Sequence, residues 1–72
     1  MYYFIEIDET AGGIAKAITG KATLQEAEMQ FHQTLASAMA NSNVSSCMCM
    51  IIDGRGAVQR YEFWERSNSG VE

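Results

Sequence analysis

Apolar residues recur along this chain with two different periods, and one segment drops periodicity altogether. Over residues 2–8, Tyr3, Ile5 and Ile7 fall on one side while Tyr2, Phe4, Glu6 and Asp8 fall on the other. A period of two predicts a strand, here with its fully apolar side inward. Residues 9–13 read as a turn, because Gly12 and Gly13 permit positive φ. Residues 14–19 predict a short second strand whose register stays open, since Lys16 stands between Ile14 and Ile18. Thr23-Leu-Gln-Glu26 matches a capping box, in which the threonine oxygen accepts from the amide three residues on and the glutamate reaches back. Leu24, Ala27, Phe31, Leu35 and Ala38 follow at helical spacing, the apolar stripe of a helix ending near Asn41. Asparagine tolerates the left-handed conformation, so Asn41 and Asn43 supply the stop.

Val44–Asp53 is different: it predicts a third strand that is apolar on both faces. A half-exposed strand alternates apolar and polar residues, whereas one covered on both sides does not. Gly54-Arg-Gly56 predicts a tight hairpin turn and residues 57–66 a fourth strand. Residues 67–72 are polar and expected to form a disordered tail beyond a single domain of residues 1–66. The order ββαββ, with the first strand between the second and third and a right-handed crossover, predicts an α+β fold. Its sheet is four-stranded and antiparallel, in order 2-1-3-4, with one helix packed on one face. Something else must cover the other face, and another copy of the chain is the simplest candidate.

The hairpin register decides what the bare face carries. A two-residue turn at Gly54-Arg55 pairs Asp53 with Gly56, Met50 with Gln59 and Met48 with Tyr61, and paired residues share a face. Met48, Met50, Ile52, Tyr61 and Phe63 are then expected toward the helix. Cys47, Cys49, Ile51, Val58, Arg60, Glu62 and Trp64 are expected on the bare face, with Tyr2, Phe4 and Glu6. A three-residue turn swaps the two sets of the third strand. On either register the bare face holds a patch of aromatic and aliphatic residues of the size that marks an interaction surface.

Composition narrows the function. At 72 residues a single core is marginal, and disulfides, a metal or association usually supply the remainder. The chain is 47% hydrophobic and has no proline, which excludes disorder. Its net charge is −4, and its basic residues (Lys16, Lys21, Arg55, Arg60, Arg66) are scattered, so nucleic acid is not an expected partner. No basic n-region opens the chain and no apolar run is of bilayer length, so neither a signal peptide nor a membrane is expected. The expected location is the cytoplasm, with reduced thiols, or the inside of an assembled particle.

Candidate chemistry is sparse. Cys47-Met-Cys-Met50 is a set of soft donors of the kind that holds copper(I) or zinc. Alternation, however, sends the cysteines to one face and the methionines to the other, so only two donors are expected to converge. Cysteines two apart in a strand are also poorly placed to bridge each other, and the expectation is ordinary buried packing with no metal and no cofactor. His32, the only histidine, has Glu28 four residues earlier on the same helix, but nothing supplies a nucleophile with an oxyanion site. Arg60 and Glu62 either hold a charged ligand or fix the register of a dimer, or else guard an edge strand against unwanted pairing. Tyr2, Phe4 and Trp64 fit interface anchors better than nucleobase platforms, which need basic surroundings.

Three stretches together, Ala36-Ser-Ala-Met-Ala-Asn41, Cys47-Met-Cys-Met-Ile-Ile-Asp53 and Tyr61-Glu-Phe-Trp-Glu65, resemble small uncharacterised proteins encoded by phages and prophages of gut Firmicutes. That resemblance covers most of the chain and carries over no activity or functional residue. It implies a small structural or accessory protein, with a second phage-encoded protein as an alternative partner. The expectation is therefore a non-enzymatic interaction module, a homodimer or higher homo-oligomer formed through the bare sheet face. The alternative is a small-ligand binder with an apolar cleft, and a third reading is an enzyme built on His32.

Overall fold

A computed structural model describes residues 1–66 of the chain. It contains β1 (Tyr2–Thr10), β2 (Gly13–Lys21), α1 (Leu24–Ala40), β3 (Val44–Asp53) and β4 (Val58–Glu65). The strands form one antiparallel sheet in the order β2-β1-β3-β4, with α1 against one face. This is the ββαββ, α+β arrangement that the sequence pattern predicts. The tail expected at residues 67–72 lies outside the described residues.

Local chemistry explains the element boundaries. Thr23 is the N-cap of α1, its Oγ1 accepting from the Glu26 amide at 3.2 Å. At the other end Asn41 is extended (φ −99°, ψ 110°) rather than left-handed. Its amide donates to the Ala38 carbonyl and its Oδ1 accepts from the Asn43 amide at 2.9 Å. The stop is thus an asparagine side-chain turn. No lysine, arginine or histidine lies in the last turn of α1. Arg66 takes that role from the end of β4, donating to the carbonyls of Val44 (3.1 Å), Met39 (3.2 Å) and Asn41 (2.8 Å).

The two hairpins set the registers. β1 runs on to Thr10, which pairs with Gly13 around Ala11-Gly12, so Glu9 belongs to the strand and not to the turn. The β3–β4 loop is longer than the two-residue turn expected. The Asp53 amide donates to the Ala57 carbonyl, and Asp53 Oδ1 accepts from the amides of Arg55 and Ala57. Gly56 adopts φ +91°, a conformation that favours glycine. Ile52 then pairs with Val58 and Ile51 with Arg60, which leaves Gln59 as a bulge. Loop and bulge together move the pairing by two residues, so that Met50 lies opposite Tyr61 and Met48 opposite Phe63. A two-residue shift keeps each side chain on its face. The grouping of the two faces therefore holds for every residue beyond the bulge, while Val58, before it, changes sides.

The face that α1 covers is the opposite of the one expected. Phe4, Cys47, Cys49 and Ile51 are buried with Ala27, Phe31 and Ala38 in one core, and Tyr2, Leu24, Leu35 and Trp64 pack against it. Phe4 meets Phe31 edge to face at 6.3 Å. The fully apolar side of β1, with Tyr3 and Ile7, faces away from the helix with Met48, Met50, Ile52, Tyr61 and Phe63. Both sides of the sheet are greasy enough to form a core. The one chosen gives Phe31 an aromatic partner and lets the small residues Ala27 and Ala38 bring the helix close.

Candidate functional site

Pairing places the side chains of the uncovered face on a grid. Its rows, read β2 to β4, are Gly20–Tyr3–Ile52–Val58, Ile18–Ile5–Met50–Tyr61 and Lys16–Ile7–Met48–Phe63. Ten of these twelve positions carry large apolar side chains. A fourth row, Ile14–Glu9–Ser46–Glu65, closes one end with two carboxylates. Ile18, Val58, Tyr61 and Phe63 are each at least half exposed, and Tyr3 and Ile7 are more than a third exposed. A shallow groove lined by Ile5, Ile7, Lys16 and Ile18 runs between β1 and β2.

Of the residues expected to form an interface, Val58 alone lies on this open face. Phe4, Cys47, Cys49 and Ile51 are fully buried under α1, and Tyr2 and Trp64 are packed at the core margin. Arg60 and Glu62 project on the helix side of edge strand β4, so they cannot set the register of an interface on the other side. The Arg60 guanidinium lies 5.2 Å from the centre of the Phe31 ring and shields that side of the core. The Arg66 guanidinium likewise covers Trp64 at 4.8 Å.

The helix side holds a second arrangement of interest. Glu6 pairs with Cys49 and Asp8 with Cys47 on neighbouring rungs of β1 and β3, so four donor side chains stand together beneath α1. One donor atom each from Glu6, Asp8 and Cys47 lies within 4.8 Å of the other two. Cys47 Sγ and Cys49 Sγ are 3.5 Å apart. Asp8 is only 9% exposed, and its Oδ1 is buried with no hydrogen-bond partner among the described residues. An acceptor left in that condition costs about 1–3 kcal/mol. Burial first, then the hydrogen bond and charge of Asp8, push the Glu6 carboxyl up to about 7. Burial also raises both thiols, that of Cys47 further through hydrogen bonds with Asp8 and Cys49.

Glu6 and Asp8 open onto a cleft of about 340 Å3 between α1 and the sheet, lined also by Gln30, Gln33, Thr34, Ser37 and Asn41. The cleft is polar, unlike the apolar cleft expected of a ligand binder. It exists because α1 lies over β1 and β3 and leaves Ala15 and Ala17 of β2 exposed and Thr19 only partly covered. His32 is exposed on α1, edge to face with Phe31 at 5.6 Å, and is not among the residues lining this cleft.

Glu6 and Asp8 are the functional candidates that the sequence reading missed as partners of the cysteines. The signal was present: alternation already put both on the Phe4 side of β1, and strand order 2-1-3-4 already put β1 beside β3. Joining these two facts brings Glu6, Asp8 and Cys47 together within 4.8 Å, with Cys49 Sγ 3.5 Å from Cys47 Sγ. No helix among the described residues is long and apolar enough to cross a membrane. No known protein family, curated protein or solved structure matches this chain.

Proposed function

We propose that this protein is a non-enzymatic, self-associating module whose open sheet face packs against the same face of a second copy. The observation that carries the reading is the grid of ten large apolar side chains with no covering element in the described chain. An aromatic side chain offers about 150–250 Å2 when fully exposed; Tyr61 and Phe63 keep about half of theirs exposed and Tyr3 about a third, and Ile7, Ile18 and Val58 extend the patch to several hundred Å2 in all. Monomers rarely expose more than about 300–600 Å2 in one patch, and a standard interface needs about 800 Å2 from each partner. Two sheets joined face to face pack about 10 Å apart with strands nearly aligned.

Charge favours a copy of the chain over an unrelated occupant and selects its orientation. Two-fold packing with the strands of the two copies parallel sets the Glu9–Glu65 rows against each other. Two-fold packing with the strands antiparallel sets each acidic row over the opposite end of the partner, where the Met1 amine and Arg55 lie. The second arrangement removes a like-charge contact and supplies opposite charges. We further propose, on the resemblance of Cys47-Met-Cys-Met-Ile-Ile-Asp53 and its companion stretches to phage and prophage proteins, that the module serves as an accessory component of such an assembly.

Analytical ultracentrifugation over a concentration series tests the reading. The wild-type chain is expected to dimerise in the micromolar range. Tyr61→Lys, at an exposed site remote from the helix-side core, is expected to give a folded monomer. A wild-type chain that remains monomeric at millimolar concentration refutes the reading, as does a variant that associates like wild type.

A further inference from the structure

On the opposite side of the sheet, we infer that Cys47, Cys49, Asp8 and Glu6 form a four-coordinate site for a divalent ion of the zinc class. The arrangement is a two-by-two block. Glu-x-Asp on β1 and Cys-x-Cys on β3 each present alternate side chains to the helix side, and the antiparallel register puts Glu6 opposite Cys49 and Asp8 opposite Cys47. A tetrahedral zinc ion with bonds of about 2.3 Å to sulfur holds two thiolates roughly 3.8 Å apart. The two Sγ atoms stand at 3.5 Å and need little movement to reach that spacing. The donor atoms of Glu6, Asp8 and Cys47 are clustered within 4.8 Å.

Within this cluster Asp8 is the residue whose bonding is incomplete. Asp8 is nine-tenths buried, its Oδ1 has no partner among the described residues, and its carboxylate stands within 4.8 Å of the Glu6 and Cys47 donor atoms, at the edge of the cleft. The Glu6 carboxyl and the Cys47 thiol can serve Asp8 while they hold their protons, but Oδ1 keeps no donor, and a cation would satisfy it together with its neighbours. The ligand set selects the ion. Two thiolates disfavour magnesium and calcium, two carboxylates disfavour copper(I), and a mixed sulfur and oxygen tetrahedron suits zinc. On binding, each thiol releases its proton to solvent and both sulfurs coordinate as thiolates, and Glu6 releases the proton its raised carboxyl holds near neutrality. The cleft bordered by Glu6 and Asp8 gives the ion a path from solvent.

Cobalt(II) titration of protein purified with chelator and reductant, then freed of both, tests the site. The wild-type chain is expected to develop a thiolate-to-cobalt charge-transfer band and the intense visible bands of tetrahedral cobalt, at one ion per chain. One equivalent of zinc should bleach both and raise the melting temperature. Changes to residues behind a metal ligand cost about 10–100-fold in affinity, so loss of a ligand in Asp8→Asn should cost about 100-fold or more. Asp8→Asn is close in shape to the native residue, and circular dichroism checks that it folds. Absence of the charge-transfer band in wild type overturns the site, whatever the variants do. So does a folded Asp8→Asn protein that binds as tightly as wild type.

Discussion

This fold is expected to lose stability between mildly acidic and mildly basic pH, and Glu6→Gln should abolish most of that decline. The Glu6 carboxyl is pushed from 4.5 up to about 7, by burial first and by Asp8 second. A carboxyl with a raised folded-state value holds its proton more tightly in the folded chain than in the unfolded one. Its stabilising contribution is therefore full below pH 4.5 and lost as pH rises through 7. The whole shift corresponds to roughly 3 kcal/mol at about 1.4 kcal/mol per unit. Glu6 is only half-buried and borders an open cleft, so solvent screening reduces this to about 1–2 kcal/mol. Asp53 shifts in the opposite direction, held down by the amides of Ala57 and Arg55, but it titrates below 3.8 and leaves the window clear. Urea denaturation followed by Trp64 fluorescence measures the effect, with chelator and reductant present and the protomer concentration fixed, because association also stabilises. Wild type should lose about 1–2 kcal/mol between pH 4.5 and pH 8, and Glu6→Gln should stay nearly level. A wild-type chain equally stable at both ends, or a variant with the same decline, refutes the reasoning.

Two further outcomes follow from the turns and caps. Arg66→Ala removes the donors that serve the carbonyls at the end of α1 and uncovers Trp64, and should cost about 1–2 kcal/mol in a urea melt; Arg66→Lys should recover less than half, since it lacks the planar fork, and a neutral Arg66→Ala removes the capping role. Gly56→Ala meets no atom within 4 Å of the new Cβ, so its cost comes from φ +91° alone and should be about 1–2 kcal/mol; a variant as stable as wild type shows that the loop relaxes out of that conformation.

The elements were legible because each carries its own local signal. The period of two in β1, the Thr23 cap with the stripe through Phe31, and the doubly apolar run of β3 are all properties of contiguous sequence. Strand order followed from chirality and the economy of short connections. The face covered by α1 was not legible by the same means. Handedness fixes the side of the sheet on which a helix lies, but the phase of the pleat fixes which side chains look toward it, and that phase depends on hairpin geometry. Glu9 paired in β1 and Gln59 bulged out of β4 are details of that kind. Hydrophobicity misled as well. Tyr3, Ile5 and Ile7 form the cleaner apolar row, yet the row containing Glu6 and Asp8 is the one under the helix. Burying carboxyls while exposing isoleucines contradicts a simple partition of polar and apolar residues. Such contradictions are where binding surfaces and ion sites are expected.

Gln59 has an effect out of proportion to its size. Val58 and Tyr61 are an odd number of residues apart, and a regular strand would aim them at opposite sides. The extra residue absorbs that mismatch, so the greasy ribbon of β4 runs unbroken from its first residue to Phe63. Any tally of faces made by strict alternation misjudges the extent of this surface, because one stutter in the strand hides a quarter of a column from view.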